Sequence, residues 1–250
     1  EPVKAPEPVK AAEPVKTAPV QQEAPEAKAK GSMSEAHSTP VAEDISALDP
    51  AVRQALEAAR ALEQGGGTTD KVIDAYRKAV AAAPAQRLPR RELARVLRGA
   101  ERWNALADVL KDEADKVELT PDQKVATLFE LVDLYKDRLR LDTMVINTFN
   151  AILAIQPGNV RALDAIAAQY ESMKRWPDLI GALQKKAAQV EATEDKVAIF
   201  CRIARLFQEK FSNVAEAIKA YEQALALDAD NGEAIAYLKS NYEKRRDWEK

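Results

Sequence analysis

Few residues in this chain have types and spacings that could do chemistry. The single histidine, His37, stands in a polar stretch with no cysteine or carboxylate cluster at ligand spacing, whereas a zinc-type site needs three or four converging ligands. The single cysteine, Cys201, lies beside an apolar stripe with Arg202 and Arg205 close in sequence. A reactive thiol needs an accessible, electropositive setting and a base, so Cys201 reads as core filling. Gly65-Gly66-Gly67-Thr68-Thr69 precedes a helical pattern as a phosphate loop would, but it lacks the Gly-Lys-Ser/Thr ending and follows a helix, which makes it an interhelical turn. The acidic pairs Asp112-Glu113 and Glu194-Asp195 read as solvated faces or first-turn charges favoured by the helix dipole. No nucleophile, base and orienting group come together, so the expected function is non-catalytic, with no cofactor and no metal.

One cluster departs from an even mixture of charge. Arg87, Arg90, Arg91, Arg95, Arg98 and Arg102 recur at steps that place several of them on one helical face. Two readings stand: a site for an acidic partner, or a solvated face offset by Glu92, Glu101 and Asp108.

The elements that must carry these residues are helical. Aromatics make up only 6% of the 250 residues and alanine is frequent, a composition that favours close helix packing over a sheet. The net charge is −3 and the pI about 5.5, which argues against a nucleic-acid partner, since phosphate binding needs a clustered basic face and a high pI. No run approaches the ~20 apolar residues that cross a bilayer, so direct membrane insertion is not expected. One cysteine excludes an internal disulfide framework.

Residues 1–46 form a Pro/Ala/Lys/Glu-rich stretch with the motif EPVK at Glu1, Glu7 and Glu13. Proline removes amide donors and the few valines bury little surface, so this is expected to be a disordered tail or linker. Gly31-Ser32-Met33 reads either as a cloning scar ahead of a start methionine or as a chance triplet. A start at Met33 without a signal segment implies the cytoplasm; otherwise a periplasmic setting stays open.

Order is expected from Asp49-Pro50, a cap followed by proline at the first helical position, with a helix to about Gln64 and another from about Asp70 to just before Pro84. Beyond that a period dominates. Trp103, Trp176 and Trp248 stand at near-equal intervals, and Tyr76, Phe149 and Tyr221 repeat the same two intervals. Residues 124–176 align without a gap onto 196–248. In the clearest copy Phe200, Ile203, Ala204 and Phe207 form one stripe and Ala217, Ile218, Tyr221 and Ala224 another, so each period holds four amphipathic helices. Such self-similarity is the signature of a solenoid.

These slots resemble the tetratricopeptide repeat, with Pro157 at the repeat's terminal proline and Ala229 in its place in the last copy. Leu179 and Lys186 depart from the pattern at small-residue slots. The resemblance covers roughly residues 50–250, is similar to long bacterial arrays, and implies an all-α, right-handed superhelical α-solenoid of antiparallel helix pairs over 47–250. Units are expected at 51–84, 87–118, 122–157, 160–191 and 194–229, with a sixth opening at Gly232. Tyr76, Trp103, Phe149, Pro157, Trp176, Tyr221 and Trp248 are then structural positions of the repeat. Because Trp248 opens an expected helix, the chain reads as a piece of a longer array.

What the family implies about function is a scaffold that binds a protein or peptide on its concave face, where first helices of each pair carry basic residues that clamp acidic segments. The resemblance therefore points to Arg91, Arg95 and Arg98, with Arg202 and Arg205 at equivalent places later on. The alternative is a structural spacer that self-associates by stacking its repeats.

Overall fold

The computed structural model describes residues 48–245, with side chains to 243. The tail, His37, the Gly31–Met33 triplet and Trp248 lie outside the described residues. Among those described there are eleven α-helices and no strand. In chain order they are α1 (Pro50–Gln64), α2 (Thr69–Ala82), α3 (Arg87–Gly99), α4 (Trp103–Lys116), α5 (Pro121–Asp133) and α6 (Asp142–Ile155). There follow α7 (Val160–Ser172), α8 (Trp176–Gln189), α9 (Thr193–Phe211), α10 (Val214–Leu227) and α11 (Gly232–Arg245). Each packs chiefly against the helices before and after it in the chain. Short connections make consecutive helices antiparallel, and the product is a solenoid of helix pairs that resembles tetratricopeptide repeats. The odd-numbered helices are the first members of their pairs and the even-numbered ones the second.

Local chemistry sets the boundaries. The Asp49 carboxylate accepts from the Ala51 amide at 2.8 Å and Pro50 opens α1, so one orphan amide is satisfied and another is removed. Thr120 and Gln123 form a reciprocal capping box on α5. Asn159 and Asn231, one period apart, each accept from the amide three residues on, at 3.0 and 3.1 Å, and so start α7 and α11.

The turns between first and second helices come in two alternating types. Glu101 and Lys174 hold left-handed backbone with φ of 55° and 57°, and the amide of the next residue reaches back to Leu97 and Tyr170. Arg140 and Ser212 do the same at 53° and 51°, with Leu141 and Asn213 reaching back to Tyr135 and Phe207. These are helix C-terminal motifs in which a left-handed residue lets the chain turn back and satisfies a terminal carbonyl. None of the four is glycine.

α5 continues as a π-helical turn, Leu134–Leu139. The equivalent stretch ends α9 as plain α-helix, so the two copies differ in winding but reach the turn at the same register.

The core is a continuous seam. Tyr76, Phe149 and Tyr221 are buried in their second helices, and Leu56, Leu97, Leu110, Ile152, Ile166 and Leu179 are buried with them. Trp103 and Trp176 open α4 and α8 and are partly buried against the core. Each carries a cation from the next odd helix or its π turn: the Arg138 guanidinium lies 4.9 Å from the Trp103 ring and the Lys210 ammonium 5.2 Å from the Trp176 ring.

Candidate functional site

The arginine cluster is wired to acids of neighbouring helices. Arg95 donates to both oxygens of Glu63 on α1, at 2.9 and 2.7 Å, and to Glu92 at 3.1 Å. Arg98 reaches Glu130 on α5 at 3.1 Å. Later in the chain Arg202 reaches back to Glu171 on α7 at 2.8 Å, and Arg205 lies 3.4 Å from Glu233 on α11. These pairs lie along the face of the odd-numbered helices, and their arginines are about half exposed. Arg91 is more enclosed: it donates to Glu113 at 2.9 Å, to Glu130 at 2.6 Å and to Thr127 at 2.9 Å. Its contacts hold α3 against α4 and α5.

Electrostatics follow the geometry. The hydrogen bond from Arg95 holds the Glu63 carboxyl below the usual range against the opposing effect of its burial. Burial, then the hydrogen bond to Glu63 at 2.8 Å, pushes the Tyr76 hydroxyl up to about 12. Tyr221 is raised in the same way by burial and by its 2.9 Å bond to Glu233. For Asp112 burial works upward, but hydrogen bonds from Lys116 and Arg90 hold the carboxyl below its ordinary value.

Two residues expected at the surface lie in the core. Glu113, read from the sequence as part of a solvated acidic pair, is 0% exposed. It occupies the small-residue slot that Ala79, Ile152 and Ala224 fill in other second helices, and the charge is carried by Arg87 at 2.8 Å, Arg91 and Thr127 on one oxygen. Its other oxygen, Oε2, has no hydrogen-bond partner. Arg90, 1% exposed, takes the slot of Leu163 and is held by Asp112 at 2.8 Å and by the Gln86 carbonyl at 3.0 Å. Buried charge is tolerated because each is paired and hydrogen-bonded.

The second-helix face carries two clefts. One, of about 360 Å³, opens between α2 and α4 over α3, with Val80, Leu93, Leu97 and Val109 as apolar lining and Arg77, Asp108 and Asp112 among its polar residues. The other, about 210 Å³, opens between α6 and α8 over α7. They are equivalent: the shift that carries Trp103 onto Trp176 also carries Arg77, Val80, Leu93, Leu97, Asp108 and Asp112 onto Asn150, Leu153, Ile166, Tyr170, Gly181 and Lys185, all of which line the second cleft. The period is legible in the tryptophans, and applied to Glu113 it returns Lys186 and so the repeat slot that both occupy.

Cys201 is buried, with its thiol pushed up by burial and by Glu233. Among the described residues no three His, Cys, Asp or Glu side chains converge as a metal site requires. No helix among them is long and apolar enough to cross a membrane.

Several solved structures share the helical-repeat arrangement at low identity. A crystal structure of MamA is 17% identical, covering 68% of this chain and 94% of its own, with a TM-score of 0.39. YrrB, described as a TPR protein with an unusual peptide-binding site, is 11% identical, covering 74% and 90%, with a TM-score of 0.38. The TPR-like repeats of a putative kinesin light chain from Podosopora anserina are 19% identical, covering 73% and 97%, with a TM-score of 0.36. The likeness is loose. The solenoid assignment therefore stands on this chain's own helix order, packing and period. No family model matches the chain, and no curated protein matches it.

Proposed function

We propose that the chain is a non-catalytic scaffold that binds a partner protein along the face of its odd-numbered helices. The observation that carries this reading is the set of half-exposed ion pairs on that face: Glu63 with Arg95, Arg98 with Glu130, Arg202 with Glu171 and Arg205 with Glu233. Each side chain is held by a residue of another helix, so the charges are positioned before a partner arrives, and binding to a preformed surface loses less conformational entropy. An acidic segment of the partner would replace Glu63 and Glu130 at Arg95 and Arg98, with exposed rather than buried charge being exchanged. Arg91 would contribute by keeping α3, α4 and α5 in place.

Labelled acidic and basic decapeptides titrated against the full chain test this reading by fluorescence anisotropy. Acidic peptides should bind, and Arg95→Glu with Arg98→Glu should weaken them at least about tenfold while the helical circular dichroism is unchanged. Binding that ignores both substitutions in a folded variant would remove the assignment.

A further inference from the structure

The paired clefts repeat at the period of the chain itself, and one other exposed feature does so too. The shift that carries Phe149 onto Tyr221 also carries the turn from α5 to α6 onto the turn from α9 to α10. Both turns bear exposed apolar side chains: Leu141 in the first, 43% exposed, and Phe211 and Val214 in the second, at 41% and 44%. Isolated exposed hydrophobics are ordinary, but here they fall on two equivalent turns, although at different residues of them: Leu141 aligns with Asn213, and Phe211 and Val214 with Leu139 and Asp142. The two turns and the two clefts are separated by nearly the same interval of sequence, so two protrusions of one copy are offered to two clefts of another.

Charge selects the alignment. Asp108, in the first cleft, and Lys185, in the second, have no ion-pair partner among the described residues, whereas the other charged lining residues are paired, Arg77 with Asp74, Arg90 with Asp112 and Asp178 with Arg175. At the tip of the first turn Arg140 stands without an ion-pair partner among the described residues, with Lys136 and Arg138 before it and Asp137 and Asp142 on either side. The second turn is flanked by Glu209, only 3.6 Å from Lys210, and by Glu216, which is paired with Lys219 at 2.6 Å. Arg140 therefore meets Asp108 and Glu209 meets Lys185 when both copies run in the same direction. Slipping one copy by a period sets Arg140 against Lys185.

We propose that a second copy of this chain docks side by side on the second-helix face, with Leu141 and Arg140 entering the α2–α4 cleft and Phe211 and Val214 the α6–α8 cleft. The contact joins two different surfaces, so it propagates from copy to copy rather than closing as a two-fold dimer. It leaves the odd-numbered face free, and it stands or falls independently of the partner proposed for that face.

Sedimentation velocity over a concentration series of the full chain tests it, with and without high salt. The wild type should self-associate, and high salt should weaken the association. Asp108→Arg or Arg140→Asp alone should weaken it at least about tenfold. The two substitutions together should restore it, because the pair is rebuilt with its charges exchanged. Both residues are exposed, and aspartate is at ease in the left-handed backbone of position 140. Lys185→Glu combined with Glu209→Lys repeats the experiment at the second cleft. A chain that stays monomeric, or association indifferent to the single reversals, overturns the proposal; so does loss that neither combined variant restores.

Discussion

Glu113 and Lys186 stand at one position of the repeat, separated by the interval from Trp103 to Trp176, and carry opposite charges. Each is neutralised by the residue at a second shared position, separated by the same interval: Arg91 at 2.9 Å from Glu113, and Asp164 at 2.5 Å from Lys186. The two helix pairs have kept a cross-helix ion pair and exchanged its ends. A slot that takes alanine or isoleucine elsewhere accepts a charge here because the first helix supplies the counter-charge.

The first prediction concerns which end of the α3–α4 pair is costlier to lose. Glu113 is wholly buried, whereas Arg87 and Arg91 retain contact with water. Arg87→Ala with Arg91→Ala leaves an uncompensated buried carboxylate and should cost about 3–5 kcal/mol. Glu113→Ala leaves two guanidiniums that can hydrate, one of them still bound to Glu130, and should cost clearly less. Urea unfolding followed by circular dichroism ranks the variants, and the reverse order would sink this account of the site.

The exchanged pair can also be transplanted. Arg91→Asp with Glu113→Lys, together with Arg87→Val to match Val160, rebuilds in α3–α4 the arrangement of α7–α8. This triple variant should unfold at a urea concentration closer to that of the wild type than Glu113→Lys alone, which sets a third cation beside Arg87 and Arg91. Equal destabilisation by the two would mean that the slots are not interchangeable.

How much of this is legible in the sequence depends on what periodicity reports. The expected units at 51–84 and 160–191 correspond to α1–α2 over 50–82 and α7–α8 over 160–189, because apolar stripes, Asp49-Pro50 and the Gly65–Gly67 break are local signals. Glu113 reads as a surface residue because an acidic pair followed by further acids has no local sign of burial. Its burial comes from Arg87 and Arg91, which belong to the preceding helix and share no local pattern with it. The π-helical turn after α5 is equally invisible, since its equivalent in α9 is ordinary helix from a similar apolar pattern.

Tyr76 supplies a pH prediction. Its folded value of about 12 lies above the ordinary phenol value of 10.0, so the neutral phenol is favoured in the fold. That contribution is fully present below pH 10 and is lost as pH rises from there through about 12. Glu63→Gln removes the anion bonded to the hydroxyl but leaves the burial, the larger cause. Phenolate absorbance should therefore show one tyrosine moving partway back toward the ordinary range in that variant, and an unchanged titration curve would count against the bond.

The left-handed residues at helix ends offer stabilising substitutions. Glu101 and Lys174 are held at φ of 55° and 57°, where a side chain is strained and glycine is not. Glu101→Gly and Lys174→Gly should each raise stability by about 0.5–1 kcal/mol, part of the relief being offset by the freer unfolded chain. The converse control is Gly66→Ala at φ 75°, where nothing crowds an added Cβ, so any loss there reports backbone strain alone. Thermal unfolding followed by circular dichroism reads all three, and a fall in midpoint for both glycine variants would contradict the strain argument.

The last prediction concerns the cation over each turn tryptophan. Arg138 joins the end of one odd-numbered helix to the start of α4 through the Trp103 ring, and Lys210 does the same for α8 through Trp176. Both contacts cross from one helix pair to the next, so they couple neighbouring units rather than stabilise a unit from within. Arg138→Gln should cost about 0.5–1 kcal/mol, the range of exposed cation–π contacts, and should change the fluorescence of Trp103. Because units of a solenoid unfold cooperatively only while their interfaces hold, the variant should also show a broader urea transition than the wild type. A lowered midpoint with undiminished steepness would instead assign Arg138 to the stability of its own helix.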